Sequence, residues 1–292
     1  MNRLAEYYLA GREALMAAGA ERLEKLDLPA SSLKAVFWDD FFASDAHLPV
    51  GFNGIIPPKG RFTLPDFAAG VSPEIEAVGE WRRLCVTTTW FLDLESFGAA
   101  EAWFSSLSPK NRKKLRWLRN AVPKLGMRIS PLADDADFAD FFKLYLAQFP
   151  QYRGREAELR GVREIYRLLD ERGRGCSRVL RDENGVAVAA SLAYRGGDAV
   201  FYTHLTRSSG SYDKYSPGYY LTYVFIDELL NAPETPKIFF MGPGYYDYKS
   251  ALGGVPAPVF RYERAAWNNL FGLVRLRHRA AKERGKIARG ER

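Results

Sequence analysis

The segment GPGYYDYK, residues 242–249, concentrates side chains that can move protons and balance charge. The Tyr248 phenol can supply a proton to a leaving group, and the Lys249 ammonium can offset negative charge or hold a phosphate. Asp247 can orient Lys249 or accept a proton itself. Tyr245 and Tyr246 are two further phenols that could supply the leaving group's proton. Gly242 and Gly244 would allow close backbone approach to a ligand. A tyrosine and a lysine in a surface turn are the alternative interpretation.

A second segment, YSPG, stands directly before YYLTYVFIDELL, an apolar stretch of helical character. The first amide groups of a helix lack internal partners and lie at the positive end of its dipole, so they attract phosphate. The anion site predicted on this basis consists of Tyr215, Ser216, Pro217 and Gly218. Alternatively, Pro217 and Gly218 only begin the helix.

Basic side chains gather in residues 110–124, where seven lysines and arginines occur without an acidic residue. A rotation of about 100° per residue brings three of them onto one stripe of a helix. These three are Arg112, Arg116 and Arg119. Guanidinium groups aligned in this way can hold phosphates through paired hydrogen bonds. A solvated helix face is the alternative.

His204 lies in YTHLT, on a predicted strand that precedes the YSPG segment. Its imidazole can act as a base because an unperturbed histidine titrates near neutral pH, although a lone histidine in a strand is more commonly structural. The other histidines and the two cysteines are scattered without metal-ligand spacing. The sequence therefore predicts neither a metal site nor a disulfide framework.

Hydrophobic periodicity after residue 107 predicts the order α, β, α, α, β, β, β, α, β, β, which would position these segments. Ser108 and Pro109 begin the basic helix and Gly126 ends it. Asp134 or Asp135 caps the next helix, and another spans Glu156 to Glu171. Before them we expect a short strand at 90–94 and a short helix at 95–107. The remaining predicted strands are MRISPL, SRVLR, VAVAASLAY, AVFYTHLT, IFFMG and one near VFRYERA.

The composition of the 292-residue chain, 47% hydrophobic and 14% aromatic, provides material for a packed core. The net charge of +7 is uneven, because residues 275–292 hold eight basic and two acidic side chains. We interpret this tail as a frayed basic helix, with weak attraction to RNA or anionic membrane as the alternative. The apolar runs are too short to span a membrane, and the opening segment lacks the layout of a signal peptide. We therefore expect a soluble, cytoplasmic protein.

Three stretches of the chain, residues 90–120, 190–230 and 238–254, resemble the CelD/BcsL-like branch of the GNAT acyltransferases, a branch related to the FemAB peptidyltransferases. They include the Leu-Ser entry to the basic helix, SPG followed by a helix, and G-x-G-x-x-x-YK. The resemblance covers about residues 88–260 and implies an α/β (α+β) fold with a mixed, mostly antiparallel sheet flanked by helices. We expect an N-terminal extension or partial first GNAT-like half at 1–87, the GNAT-like domain at 88–265, and a basic C-terminal helix and tail at 266–292.

The resemblance implies transfer of an acyl group from acyl-CoA, for example acetyl-CoA, to an amine or hydroxyl of a small-molecule, saccharide or peptide acceptor. It implies that the YSPG helix binds the CoA pyrophosphate and that residues 242–249 lie where the sheet splays around the thioester. In FemAB relatives a lysine at the position of Lys249 is implicated in transfer. Expected substrate contacts are Arg112, Arg116, Arg119, Tyr245 and Tyr246. The usual pyrophosphate loop, a basic or glutamine residue followed by G-x-G or G-x-A, is missing.

Two other functions stay open. An aminoacyl-tRNA-dependent transferase is favoured by the missing loop, the basic helix and the FemAB-like Tyr-Lys pair. A non-catalytic binding module on the same fold is the third hypothesis. CoA binding would favour the first function, and RNA binding that weakens with salt would favour the second. A function that is unchanged in Lys249→Ala would favour the third hypothesis, a binding module.

Overall fold

The computed structural model describes residues 4, 7, 8, 19–29, 32, 61–65, 75–78, 81–243 and 247–264. For residues 61–65, 75–78, 81–87 and 259–264 it describes the backbone alone. The predicted tail at 266–292 therefore lies outside the described residues, as do Gly244, Tyr245 and Tyr246. Within the described part of the chain, no helix is long and apolar enough to cross a membrane.

Besides the helical residues 19–25, six helices and nine strands from the described residues build the fold. In chain order they are β1 (Arg61–Pro65), β2 (Ile75–Val78), β3 (Trp81–Asp93), α1 (Ala100–Ser106), α2 (Pro109–Lys124), β4 (Arg128–Pro131), α3 (Asp135–Gln148), α4 (Glu156–Glu171), β5 (Arg178–Arg181), β6 (Ala187–Gly196), β7 (Ala199–Arg207), α5 (Pro217–Leu230), β8 (Ile238–Pro243), α6 (Asp247–Ala251) and β9 (Val255–Arg264). Short 3-10 turns lie at Pro150–Tyr152 and Asp213–Tyr215.

The strands form one sheet in the order β1-β9-β3-β8-β7-β6-β5-β4, with β2 paired to β3. The described pairs are antiparallel except β7 with β8, which are parallel from Ala199 opposite Ile238 to Phe201 opposite Phe240. Because β7 continues to Arg207 and β8 to Pro243, the two strands part beyond this short register. The predicted mixed, mostly antiparallel sheet flanked by helices is confirmed.

Local capping signals determine where the central helices begin. The Ser108 side chain accepts a hydrogen bond from the backbone N–H of Asn111 at 3.3 Å, and Pro109 occupies the first helical position of α2. Asp134 and Asp137 form a reciprocal capping box at the start of α3. These caps, and the bounds of α4, agree with the sequence-based predictions.

Two strands extend beyond the predicted bounds. β3 begins at Trp81 rather than Trp90, so the expected domain boundary between residues 87 and 88 falls inside a strand. β9 begins at Val255 and includes Pro256 and Pro258, which pair with β3. Proline has no backbone N–H to donate to a neighbouring strand. Because β9 pairs with β1 only from Val259 onward, neither proline has to donate to β1. The helix predicted at 95–107 is also shorter, because α1 begins at Ala100.

Helices pack on both faces of the sheet and create two cores. On one face, α1, α2 and α5 bury large side chains such as Trp103, Leu115 and Phe225. On the other face, α3 and α4 bury Phe138 and Tyr166, together with Leu23 from the helical residues 19–25. Apolar burial on both faces stabilises the sheet and holds the ends of β7 and β8 in fixed positions.

We predict that Gly242→Ala destabilises the protein by more than about 2 kcal/mol. Gly242 has a φ of 71°, and an added Cβ would lie 2.8 Å from the carbonyl oxygen of Tyr202. Gly197→Ala is the matched control, because Gly197 has a φ of 58° and an added Cβ there meets no atom within 4 Å. Urea denaturation should show a clearly larger loss for Gly242→Ala, and equal losses would contradict the close approach of β8 to β7.

Candidate active site

A cavity of about 920 Å³ occupies the space where β7 and β8 part. The strands contribute Thr203 and His204 on one side and Met241 and Gly242 on the other. The N-terminus of α5, helix α6, part of α2 and the end of α3 complete its wall. Further lining residues from these elements are Ser216, Gly218, Tyr219, Asp247, Tyr248, Lys249, Asn111, Lys114, Tyr145 and Gln148.

The N-terminus of α5 presents backbone amides at the cavity. Ser216 is the N-cap residue in a left-handed conformation, with a φ of 45°, and its side chain makes no capping hydrogen bond. Pro217 has no N–H, and the first intrahelical donor is the amide of Tyr220, 3.0 Å from the Ser216 carbonyl oxygen. The amides of Gly218 and Tyr219 are therefore first-turn donors without an intrahelical acceptor. Such groups attract an anion.

The loop before α5 is held in place by an ion pair. An Arg207 guanidinium nitrogen lies 2.7 Å from one carboxylate oxygen of Asp213, and the other oxygen accepts from the Gly210 amide at 3.1 Å. Helix α5 also packs on β7 at Gly218, where an added Cβ would make an ordinary contact of 3.4 Å with a methyl carbon of Leu205. The amide donors are thus fixed against the end of β7.

Lys249 lies almost fully buried in α6, with 2% of its surface exposed. Its ammonium donates hydrogen bonds to the carbonyl oxygens of Gly242 and Pro243, both at 2.8 Å. Burial lowers the pKa of Lys249 to about 7. The side chain therefore connects α6 to the end of β8, with Asp247 and Tyr248 lining the cavity beside it.

His204 lies in the cavity wall among aromatic rings. Its ring centroid is 5.6 Å from that of Tyr145 and 6.0 Å from that of Phe141, and its Nδ1 lies 2.9 Å from the Thr203 hydroxyl oxygen. Burial lowers the pKa of His204 to about 3. At physiological pH the imidazole is therefore neutral and binds a proton weakly.

The three arginines of the predicted stripe do not line this cavity. Arg112 donates to the carbonyl oxygens of Ser105 and Leu107, at 2.8 and 2.6 Å, and so completes the end of α1. Arg116 and Arg119 line a separate pocket of about 170 Å³, whose wall also includes the carboxylates of Glu101 and Asp227 and the ring of Tyr223. The basic side chain of α2 that does reach the large cavity is Lys114.

The structure brings together seven of the twelve predicted site residues that it describes. Ser216, Gly218, Gly242, Asp247, Tyr248, Lys249 and His204 all line the one cavity. Tyr215 instead stacks on Trp117, and Pro217 is buried in the first turn of α5.

Among the lining residues that the sequence did not single out, three lie next to or near a recognised motif. Tyr219 follows the YSPG segment, and Asn111 and Lys114 flank Arg112. The side-chain amide of Asn111 donates to the Ala251 carbonyl at 2.9 Å and thereby joins α2 to α6. Burial raises the pKa of Tyr219 to about 12, and its hydroxyl has no hydrogen-bond partner among the described residues. A buried phenol of this kind can donate to a ligand.

Residues 109–250 match the family described as "Acetyltransferase (GNAT) domain". These residues, just under half of the chain, are similar in sequence to a GNAT domain. The match contains α2 to α5, strands β4 to β8 and most of α6, so it includes both the parted strands and the N-terminus of α5. The match supports the transferase class that the resemblance implied.

Solved structures with a similar fold have low sequence identity to this chain. FemX is 11% identical with a TM-score of 0.48, and the match covers 65% of this chain and 64% of FemX. L-PGS from Bacillus licheniformis is 15% identical with a TM-score of 0.44, over 68% of this chain and 66% of that one. A tandem GNAT protein from the clavulanic acid biosynthesis pathway is 13% identical with a TM-score of 0.45, over 71% and 65%. The chain thus spans less than two thirds of each of these three proteins. No curated protein matches the sequence.

We predict that the stability of the protein relative to Lys249→Met rises with pH between about 7 and 10. Folding lowers the pKa of Lys249 from 10.5 to about 7, so within this window the unfolded chain binds a proton that the folded protein lacks. Stability must then increase with pH, by up to about 1.4 kcal/mol for each pH unit. Lys249→Met also removes the hydrogen bonds to the carbonyl oxygens of Gly242 and Pro243, and this loss lowers the stability of the variant at every pH.

Urea denaturation of both proteins at pH 7, 8 and 9 measures this difference. Lys143→Met, which removes an exposed lysine of α3, is the matched control for lysine loss. A stability difference that stays constant or shrinks as the pH rises would contradict the burial of the Lys249 ammonium.

Proposed function

We propose that the protein transfers an acyl group from acyl-CoA, such as acetyl-CoA, to an amine or hydroxyl of an acceptor. The observation that carries this proposal is that the N-terminus of α5 and the Tyr248-Lys249 pair line one cavity at the parted strands. The N-terminus of α5 attracts the phosphates of the donor. The Tyr248-Lys249 pair contributes a proton and positive charge where the carbonyl of the donor would react. The family match over residues 109–250 supports the reaction class.

The donor phosphates bind at the amides of Gly218 and Tyr219. Lys114 adds a positive charge there, since its ammonium lies 4.6 Å from the centroid of the Tyr219 ring. From this point an extended donor chain runs into the gap between β7 and β8. Parted strands leave backbone donors and acceptors that can pair with the amide groups of such a chain, as an added strand would.

The reaction breaks the thioester C–S bond and forms a C–N or C–O bond to the acceptor. The acceptor loses a proton as it attacks the carbonyl, and the departing thiolate gains one. Tyr248 is the proposed proton donor, and Asp247 the proposed acceptor of the nucleophile's proton. Lys249 holds the end of β8 and offsets developing negative charge. His204, with its pKa near 3, is better suited to accepting a hydrogen bond from the acceptor than to taking its proton.

A second candidate, an aminoacyl-tRNA-dependent transferase, is favoured by helix α2. The sequence of this helix, PKNRKKLRWLRNAVPK, contains seven basic residues and no acidic one. Its Asn111 and Lys114 line the cavity, so a polyanionic donor would meet positive charge at the opening. An aminoacyl ester would then replace the thioester, with a saccharide, peptide or small-molecule acceptor in either case.

We predict that Ser216→Asp weakens acetyl-CoA binding by at least about tenfold, because its carboxylate would repel a phosphate held at the same helix end. Aspartate is favoured at an N-cap and tolerates the left-handed conformation, so the variant should unfold at the same or a higher temperature than the unsubstituted protein. Ser216→Asn is the matched control, because asparagine has nearly the same shape without the charge. Isothermal titration calorimetry with acetyl-CoA measures the affinities.

Equal acetyl-CoA affinities for the Asp and Asn variants would contradict a phosphate site at α5. A parallel titration with an aminoacyl-tRNA at two salt concentrations separates the two candidates. RNA binding that collapses with salt, in the absence of acetyl-CoA binding, would replace the first function with the second.

A further inference from the structure

Two stacked aromatic rings, an exposed tryptophan and a partly buried tyrosine, lie beside the cavity. The ring centroids of Trp117 in α2 and Tyr215 in the 3-10 turn are 5.5 Å apart, and the ring planes differ by only 4°. Trp117 has 47% of its surface exposed and belongs to neither of the two cores that the described residues form. A tryptophan with this much surface in water offers a flat face on which another ring can stack.

The aromatic pair adjoins the proposed phosphate site. Tyr215 directly precedes Ser216, the N-cap residue of α5. Lys114 lines the cavity, and Trp117 lies three residues further along α2, so both side chains project from the same face of that helix. A ligand that reaches from the N-terminus of α5 toward solvent would therefore pass the Trp117 ring.

Positive charge surrounds the aromatic pair. Lys110, Lys113 and Lys114 precede Trp117 by seven, four and three residues, which places all of them on its side of α2. The Lys214 ammonium lies 4.8 Å from the centroid of the Tyr215 ring. Desolvation, followed by the charge of Lys110, lowers the pKa of Lys114, so the lysines are close enough to repel one another. Bound phosphate would relieve that repulsion.

We propose that Trp117 and Tyr215 form a stacking surface for the nucleobase of the donor. This inference rests on the proposed acyl-CoA function and assigns the 3′-phospho-ADP end of CoA to the surface. The adenine stacks on Trp117, while the phosphates bind the lysines of α2 and the amides of α5. The reactive end of the donor then lies inside the cavity.

The size of the surface favours one nucleotide over a nucleic-acid strand. Proteins that bind single strands present successive aromatic rings along a basic groove, one for each base. Here α2 and the turn before α5 offer one stacked pair between them, with lysines grouped around it. An isolated base that carries several phosphates therefore fits this surface better than a continuous strand.

The test compares the two halves of the donor. Calorimetric titration of the full chain with adenosine 3′,5′-bisphosphate should show binding that Trp117→Ala weakens roughly tenfold to a hundredfold, the usual effect of losing a base-stacking ring. Trp117→Phe should retain most of the affinity because the ring persists. Binding of acetyl-4′-phosphopantetheine, which lacks the base, should be the same in all three proteins. Because Trp117 is half-exposed, the variants should keep the melting temperature of the unsubstituted protein.

Lys113→Ala and Lys143→Ala are a matched pair of exposed lysine variants, on α2 and on α3. Lys113→Ala should weaken binding of the bisphosphate severalfold, and Lys143→Ala should leave it unchanged. An unaltered bisphosphate affinity in Trp117→Ala would overturn the stacking surface. So would a loss of acetyl-4′-phosphopantetheine binding as large as the loss of nucleotide binding, since that would indicate general damage to the site.

Failure of the acyl-CoA function would look different from failure of this inference. If neither acetyl-CoA nor acetyl-4′-phosphopantetheine binds the unsubstituted protein, the donor assignment falls, and the stacking surface falls with it. If both bind and Trp117→Ala binds acetyl-CoA as tightly as the unsubstituted protein, only the stacking surface is overturned. Binding of an RNA minihelix that depends on Trp117, without binding of the bisphosphate, would also overturn this assignment.

Discussion

The parting of β7 and β8 beyond Phe201 and Phe240 is the constraint on which the candidate site depends. Two parallel strands that separate inside a sheet leave backbone groups without their usual partners, and buried groups of this kind are costly. At the end of β8 the Lys249 ammonium takes the place of a neighbouring strand by donating to the carbonyls of Gly242 and Pro243. The gap is thus maintained by a buried side chain, and it remains open to a ligand.

The surrounding elements fix what that gap can bind. Helix α5 delivers two first-turn amides, and the ion pair between Arg207 and Asp213 fixes the loop that leads into it. Helix α2 brings Lys114 to the same wall and is joined to α6 through the hydrogen bond from Asn111 to Ala251. First-turn amides, an extended gap and a buried lysine therefore occur in sequence along one cavity. This order suits a donor with a phosphate end and a reactive carbonyl end.

Local signals in the sequence were sufficient for the parts of this arrangement that depend on near neighbours. The caps at Ser108 and Asp134 involve partners three residues away, and the YSPG and GPGYYDYK segments carry their chemistry within a few positions. Interactions that depend on how separate helices and strands pack against one another could not be predicted. Arg112 completes α1 instead of facing a substrate, because the free carbonyls of Ser105 and Leu107 are brought to it by the turn between the helices. The length of β3 depends on its partners β8 and β9, which lie more than 140 residues further along the chain.

Hydrogen exchange in the presence and absence of acetyl-CoA tests the central claim, that one ligand bridges the N-terminus of α5 and the parted strands. First-turn amides of a helix exchange readily while they lack an acceptor. We expect acetyl-CoA to slow exchange in two peptides together, one containing Thr203 to Leu205 and one containing Gly218 and Tyr219. Peptides around the Arg116 and Arg119 pocket should be unchanged. Slowed exchange confined to that second pocket, with no change at Gly218 and Tyr219, would contradict a donor site at α5 and the parted strands.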